Sequence, residues 1–345
     1  MKSFLFYCKY SLWITFLSFS LVALLGYLQG ENLFSIFNNL LIAIALVCLE
    51  VSLSFDNAVI NARILKNMSE KWQKYFLTWG ILIAVFGMRV LFPIILVSFF
   101  AGISLSNVVE LAIFYPEQYA AILHESHILI LAFAGSFLML VAVNFFIDNN
   151  KKIHWFNKIE CFLTKNSYPL LTSLLLVFVI ISFLTLLINP IYKYAFFMSS
   201  VVAIVIFFII ESISYLLNNY FVNTTSVAKS GLIGFLYLEL LDASFSFDGV
   251  IGAFSLTNNL FIIAVGLGIG AFFIRSFTLM LVETGSLTKY RYLEHGAFYA
   301  VLALAVMLYI QLFIKLPEIF MGIIGILIIS YSLFDSFKYN KKNIN

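Results

Sequence analysis

Two stretches of this chain place carboxylates, hydroxyls and an amide inside apolar runs. The first reads Glu50-Val51-Ser52-Leu53-Ser54-Phe55-Asp56-Asn57, and the second reads Asp242-Ala243-Ser244-Phe245-Ser246-Phe247-Asp248-Gly249. Both follow one pattern: acid, x, Ser, x, Ser, Phe, Asp. A donor set made only of oxygen suits hard divalent cations such as Mn, Mg or Ca, rather than Cu or Zn. Each carboxylate near the centre of a membrane helix costs roughly 2.5–3.5 kcal/mol. For Glu50, Asp56, Glu239, Asp242 and Asp248 together that is on the order of 15 kcal/mol, as large as a domain's net stability. Packing alone does not justify such a cost. Protonation, a bound cation, or pairing with Arg89 and Arg275 would relieve it.

Helical spacing refines the expectation. Residues four apart share a face, so Ser52 is expected beside Asp56 and Ser54 beside Glu50. In the second motif Ser244 is expected beside Asp248 and Ser246 beside Asp242. The two acids of each motif are six apart and would point in different directions on a regular helix. The apolar stretch from Leu33 to Leu65 would run about 50 Å as one helix, against a hydrocarbon core of about 30 Å. A break near Asp56-Asn57, and another near Asp248-Gly249, would let the acids converge and free backbone carbonyls. Asn and Gly suit such irregular backbone.

These residues need membrane helices to carry them. The 345 residues are 63% hydrophobic and 11% charged, far from soluble-domain values, and many apolar runs exceed 18 residues. Ten spans are expected: 11–29, 34–56, 75–99, 125–147, 168–188, 194–217, 231–253, 259–282, 295–314 and 317–337. The fold class is therefore an all-α membrane protein, a single transmembrane domain over 1–345. Its motifs lie on the second and seventh spans, an odd number of crossings apart. The halves, 11–188 and 194–337, then form inverted-topology repeats, an architecture that places a shared site near the bilayer midplane. Two further features recur in order. A Gly-rich span carries a lone arginine (Gly80, Gly87 and Arg89; then Gly266, Gly268, Gly270 and Arg275), and an acid–His pair follows it (His124-Glu125; Glu294-His295).

With both termini in the cytoplasm, sixteen of the 20 Lys and Arg fall on the cytoplasmic side and only Lys193 and Lys315 outside, as the positive-inside rule requires. The 100–124 loop, with Glu110 and Glu117 and no Lys or Arg, is expected outside. Cys8, Cys48 and Cys161 are odd in number and scattered, which gives no disulfide framework and no thiolate metal site. The first span is an uncleaved signal anchor or a cleaved signal peptide, and its long apolar run without a clear small-x-small site favours the anchor. Glu211, Glu283 and the acid–His pairs sit at span ends, where interfacial roles fit.

The paired motifs, Glu50-x5-Asp56-Asn57 and Asp242-x5-Asp248, each followed by a Gly-rich helix with Arg, resemble the TerC integral membrane family over about residues 35–310. Arg275-Ser276 with Arg291-Tyr292-Leu293-Glu294-His295-Gly296 resembles one long bacterial branch of it. The resemblance implies membership of the LysE-like transporter group, a link to tellurium resistance and metal stress, manganese efflux or delivery, and a place in the bacterial inner (cytoplasmic) membrane. It also implies Asp56, Asn57 and Asp248 as ion contacts, with Glu50 and Asp242 beside them. Gly249 departs from it, since many members carry Ser there.

The expected function is secondary transport that exports a divalent cation, Mn first, as substrate rather than as a resident cofactor, with proton exchange through the same carboxylates. Ser52, Ser54, Ser244, Ser246, Glu239, Arg89 and Arg275 are expected to support the site. An exporter of a small organic cation or amino acid is the first alternative: an ammonium group would sit between the acids, and the arginines would hold a carboxylate. A membrane scaffold for a metal-stress or secretion complex is the second, disfavoured by the short loops. A membrane-embedded hydrolase is weakest, because the chain has no nucleophile–base set, and no enzymatic activity is expected. There is no P-loop for an ATP-driven pump. The expected partners are the lipid bilayer and the ion, with no nucleic acid.

Overall fold

The computed structural model describes residues 4–30, 32–66, 68–149, 151, 153–163, 168–220, 260–314 and 316–344, and between 231 and 259 only 231, 232, 234–236, 238, 239, 242, 249, 250, 253, 256, 257 and 259. Among the described residues the chain is helical, with no strand. The helices are α1 (Phe4–Leu28), α2 (Leu33–Leu53), α3 (Phe55–Lys66), α4 (Glu70–Leu82), a π-helix (Ile83–Leu91), α5 (Phe92–Ala101), α6 (Leu105–Phe114), α7 (Pro116–Glu125), α8 (His127–Ile147), α9 (Asn157–Leu163), α10 (Pro169–Leu187), α11 (Pro190–Tyr220), α12 (Leu260–Glu283), α13 (Ser286–Lys289), α14 (Leu293–Gln311) and α15 (Glu318–Ile344).

Eight of these helices are long and apolar enough to cross a membrane, as befits an integral membrane protein. They match eight of the ten expected spans. The expected span 75–99 is not one regular helix, because the π-helix Ile83–Leu91 interrupts it between α4 and α5. The expected span 231–253 falls mostly outside the described residues. The segment 100–124, expected as a loop, instead folds into α6 and α7. Ser104 starts α6, its hydroxyl accepting from Asn107 N, and Pro116 opens α7, both ordinary helix-start chemistry.

Two packing centres organise the molecule. In α8, every residue from Ile130 to Ala142 is buried, and α10, α11 and α14 pack around it. A helix apolar on all sides belongs in such an interior. The Tyr309 hydroxyl of α14 reaches Ser136 of α8 at 3.0 Å, so a buried polar group there is satisfied. The other centre is α12, which packs against α2, α3, the π-helix and α1. Ser11 of α1 bonds Ser276 at 2.8 Å and the Phe272 carbonyl at 2.9 Å. The outer faces of α1, α10 and α15 expose Leu, Phe and Tyr side chains, the composition a lipid-facing surface needs.

Glycine sets how closely α12 approaches α2. A β-carbon at Gly266 would lie 2.5 Å from Leu46 Cβ, and one at Gly270 would lie 2.5 Å from Glu50 Cβ and Cγ. Small residues at membrane helix interfaces act in this way. Gly270→Ala is therefore expected to destabilise the protein by about 1–3 kcal/mol, the usual cost of overpacking. At Gly325 a β-carbon meets only Ala300 Cβ at 3.9 Å, so Gly325→Ala is expected to leave stability unchanged or raised. Thermal unfolding of the two variants in detergent, followed by size-exclusion chromatography, checks this ordering.

Candidate functional site

The first motif is built at the junction of α2 and α3. Helix α2 stops at Leu53, Ser54 takes φ −104° and ψ 12°, and α3 begins at Phe55. The expected break therefore exists in this half but falls two residues before Asp56. It is a one-residue interruption that keeps its bonds: Ser54 N donates to Glu50 O at 2.9 Å, and Ala58 N donates to Ser54 O at 3.3 Å. This position puts Asp56 in the first turn of α3, where the positive end of the helix dipole favours an anion. Asn57 N donates to Asp56 Oδ1 at 2.9 Å. The counterpart break near Asp248-Gly249 lies outside the described residues.

Ser54 Oγ donates to Glu50 Oε1 at 2.8 Å, the contact the four-residue spacing predicts. The Ser52–Asp56 pairing does not form. Ser52 Oγ instead donates to Leu49 O at 2.9 Å, and its side chain packs on Gly322 of α15, where a β-carbon would come within 2.9 Å of the hydroxyl. The interruption at Ser54 separates the two residues onto different helices. Ser244, Ser246 and Asp248 lie outside the described residues, as does the Arg89 side chain.

The second motif meets the first twice. Asn57 Nδ2 donates to Asp242 Oδ1 at 2.5 Å. A β-carbon at Gly249 would stand 3.1 Å from Glu50 Oε2. Thus the first acid of each motif lies against the residue that closes the other motif. Arg275 of α12 completes the cluster. Its Nη2 lies 3.3 Å from Glu239 Oε1 and 3.5 Å from Asp242 Oδ2, and donates to Gly80 O at 3.0 Å. Its guanidinium stacks 3.6 Å from the Phe76 ring centroid, a favourable cation–π placement. Gly80 permits this approach, since a β-carbon there would sit 2.9 Å from Glu239 Oε1.

Glu50, Ser54, Asp56, Asn57, Glu239, Asp242 and Arg275 are each at most 5% exposed. Four buried carboxylates thus face one buried guanidinium among the described side chains. Buried charges are costly unless paired and hydrogen-bonded, and Arg275 provides that pairing for Glu239 and Asp242. Among the described residues no three His, Cys, Asp or Glu side chains form a ready-made metal centre. The donors here are carboxylates joined through an amide and an arginine.

A second polar cluster was not anticipated. Glu160, fully buried, accepts from Trp155 N at 3.3 Å, Phe156 N at 3.2 Å and the Tyr299 hydroxyl at 3.0 Å. Lys151 Nζ stands 2.8 Å from its other oxygen, with His295 Nε2 at 3.4 Å and His154 Nδ1 at 3.5 Å. The second acid–His pair is thereby split between two partners: His295 faces Glu160, while Glu294 pairs with Arg63 of α3 at 2.5 Å. In the first pair Glu125 is exposed, and the His124 side chain lies outside the described residues. The sequence carried no signal for Glu160, an acid in a lysine-rich connection.

Burial alone would raise the Glu160 carboxyl, but the hydrogen bonds and charges of His295 and Lys151 outweigh it and hold the group well below the usual carboxylate range. Burial pulls Lys151 down from the ordinary lysine value, against the raising effect of Glu160. A depressed carboxyl stabilises the fold fully above its unfolded pKa of about 4.5, and loses that contribution as pH falls toward the folded value. The melting temperature is thus expected to lose this contribution only below about pH 4.5, and Glu160→Gln to flatten that acid limb. Lys151→Met, which leaves the carboxylate to its hydrogen bonds and the two histidines, is expected to cost about 1–3 kcal/mol at pH 7. Unfolding curves from pH 7 to pH 3 check both.

The chain belongs to the DUF475 family, described as a protein of unknown function, whose model matches residues 55–343. No curated protein and no solved structure matches the chain.

Proposed function

Taking that membership as the premise, we propose that the chain is a secondary transporter that moves a divalent cation, Mn first with Mg and Ca as alternatives, through a site shared by its two acidic motifs. The observation that carries the reading is the Asn57–Asp242 hydrogen bond, set among four buried carboxylates and one guanidinium. Carboxylates gathered in a buried interior favour cations or protons as partners. Carboxylate and amide oxygens select hard ions.

Several parts of the proposal extend beyond this contact. The reciprocal approach of Glu50 to Gly249 and of Asn57 to Asp242 fits two halves related by an inverted-repeat axis. That relation belongs to the proposal, along with ten spans, cytoplasmic termini, the bacterial inner membrane and the TerC likeness. In this reading Arg275 neutralises Glu239 and Asp242 and yields them when the cation enters. Asp248 and Arg89 are assigned to the site by their place in the repeat. Proton exchange would use the same carboxylates.

A second reading has one observation in its favour. Arg275 Nη1 has no hydrogen-bond partner among the described residues, so it could hold the carboxylate of an amino acid whose ammonium group faces Asp56. Uptake into proteoliposomes of Mn, Mg, Ca and lysine, measured in parallel, separates the two. Mn flux is expected in the wild type and is expected to fall by about tenfold or more in Asp56→Asn, Asp242→Asn and Asp248→Asn. Lysine flux without Mn flux would sink the cation reading.

A further inference from the structure

Helix α3 carries one buried polar side chain that the acidic motifs do not account for. Asn61 is completely buried, and neither its Nδ2 nor its Oδ1 has a hydrogen-bond partner among the described residues. Buried amides are almost always paired, and an unpaired one calls for a reason. The residue is surrounded in sequence by Val59, Ile60 and Ala62, all buried, so an apolar side chain would serve packing better.

Its position supplies the reason. Asn61 follows Asn57 by four residues, so the two amides stack on one face of α3. Asn57 uses Nδ2 on Asp242, and its Oδ1 also lacks a hydrogen bond among the described residues. One turn further on, Leu65 joins Phe76, Phe235 and Leu238 in a separate apolar cluster. The face Asn57–Asn61–Leu65 therefore meets Asp242 at one end and Phe235 and Leu238 at the other. It passes from carboxylates through two amides to a hydrophobic plug.

We propose that Asn61 is a ligand of the cation site, its last oxygen donor before the plug formed by Leu65, Phe76, Phe235 and Leu238. The inference rests on the proposed cation reading and deepens it. The amide oxygens of Asn57 and Asn61 give the cation two neutral hard donors on the α3 side, opposite the charge supplied by Asp242. Neutral donors add coordination without adding to the excess of negative charge, which lets the ion leave.

The test is direct Mn binding to purified full-length protein in nanodiscs, read as loss of the free Mn electron paramagnetic resonance signal, with thermal unfolding in the absence of Mn measured alongside. Asn61→Leu is expected to weaken Mn binding about tenfold or more while leaving the Mn-free melting temperature unchanged or higher. Asn61→Asp, which keeps an oxygen donor, is expected to bind Mn at least as tightly as the wild type. If Asp56→Asn loses binding but Asn61→Leu keeps wild-type affinity, the assignment of Asn61 is overturned and the cation reading stands. A fall in the Mn-free melting temperature of Asn61→Leu with intact affinity marks a structural amide and overturns it as well. If the wild type binds no Mn, Mg or Ca, the cation reading fails and this assignment goes with it.

Discussion

The hydrogen bond between Asn57 and Asp242 joins residues 185 positions apart, and it does so in the buried interior. Everything around it answers the charge that accompanies it. Glu50, Asp56, Glu239 and Asp242 are buried with Arg275 as their one described buried counter-charge. Each local device reduces part of the cost: the Ser54 hydroxyl on Glu50, the first turn of α3 under Asp56, and the guanidinium between Glu239 and Asp242. Among the described residues, carboxylates outnumber guanidiniums in the cluster. That imbalance gives the cluster its chemistry.

Close helix packing makes the cluster possible. Gly270 lies directly over the Glu50 stem, so α12, which carries Arg275, packs closely on the helix that carries Glu50. Gly80 does the same for Arg275, letting its guanidinium reach both a backbone carbonyl and two carboxylates. The absent side chains at these glycines are thus as much a part of the site as the acids. Electrostatics and packing meet at the same residues.

How much of this could be read from the sequence differs by residue. The two motifs and the Ser54–Glu50 contact followed from helix spacing, and an acid partner for Arg275 from the expense of charge in an apolar run; that its partners are the nearby Glu239 and Asp242, rather than an acid of the other motif, did not. The interruption of the helix was legible as a necessity of length, but its position at Ser54 was not, since Asn57 was the residue that looked like a breaker. Ser52 went astray for the same reason, as one irregular residue redirects everything beyond it. The π-helix at Ile83–Leu91 left no mark, because apolar periodicity does not register one extra residue in a turn. Glu160 was invisible because its partners His295 and Tyr299 arrive from more than a hundred residues away. The ladder of Asn57 and Asn61 was present in the spacing and passed unnoticed behind the stronger acidic pattern.

The interruption at Ser54 has a mechanical meaning. Helix α3 is held at both ends: its start carries Asp56 and Asn57, and near its finish Arg63 is clamped to Glu294 and lies 4.8 Å and 5.1 Å from the ring centroids of Phe145 and Phe298. With twelve residues it is a rod of about 18 Å. Ser54 N still donates to Glu50 O and Ala58 N to Ser54 O, so the chain turns at this point without leaving the Ser54 backbone groups unsatisfied. Ser54 is then a corner: a difference of about 10° in the angle set there would place the far tip of the rod about 3 Å elsewhere, given its length. One residue therefore sets where the Asn57 contact and the Arg63 clamp both fall.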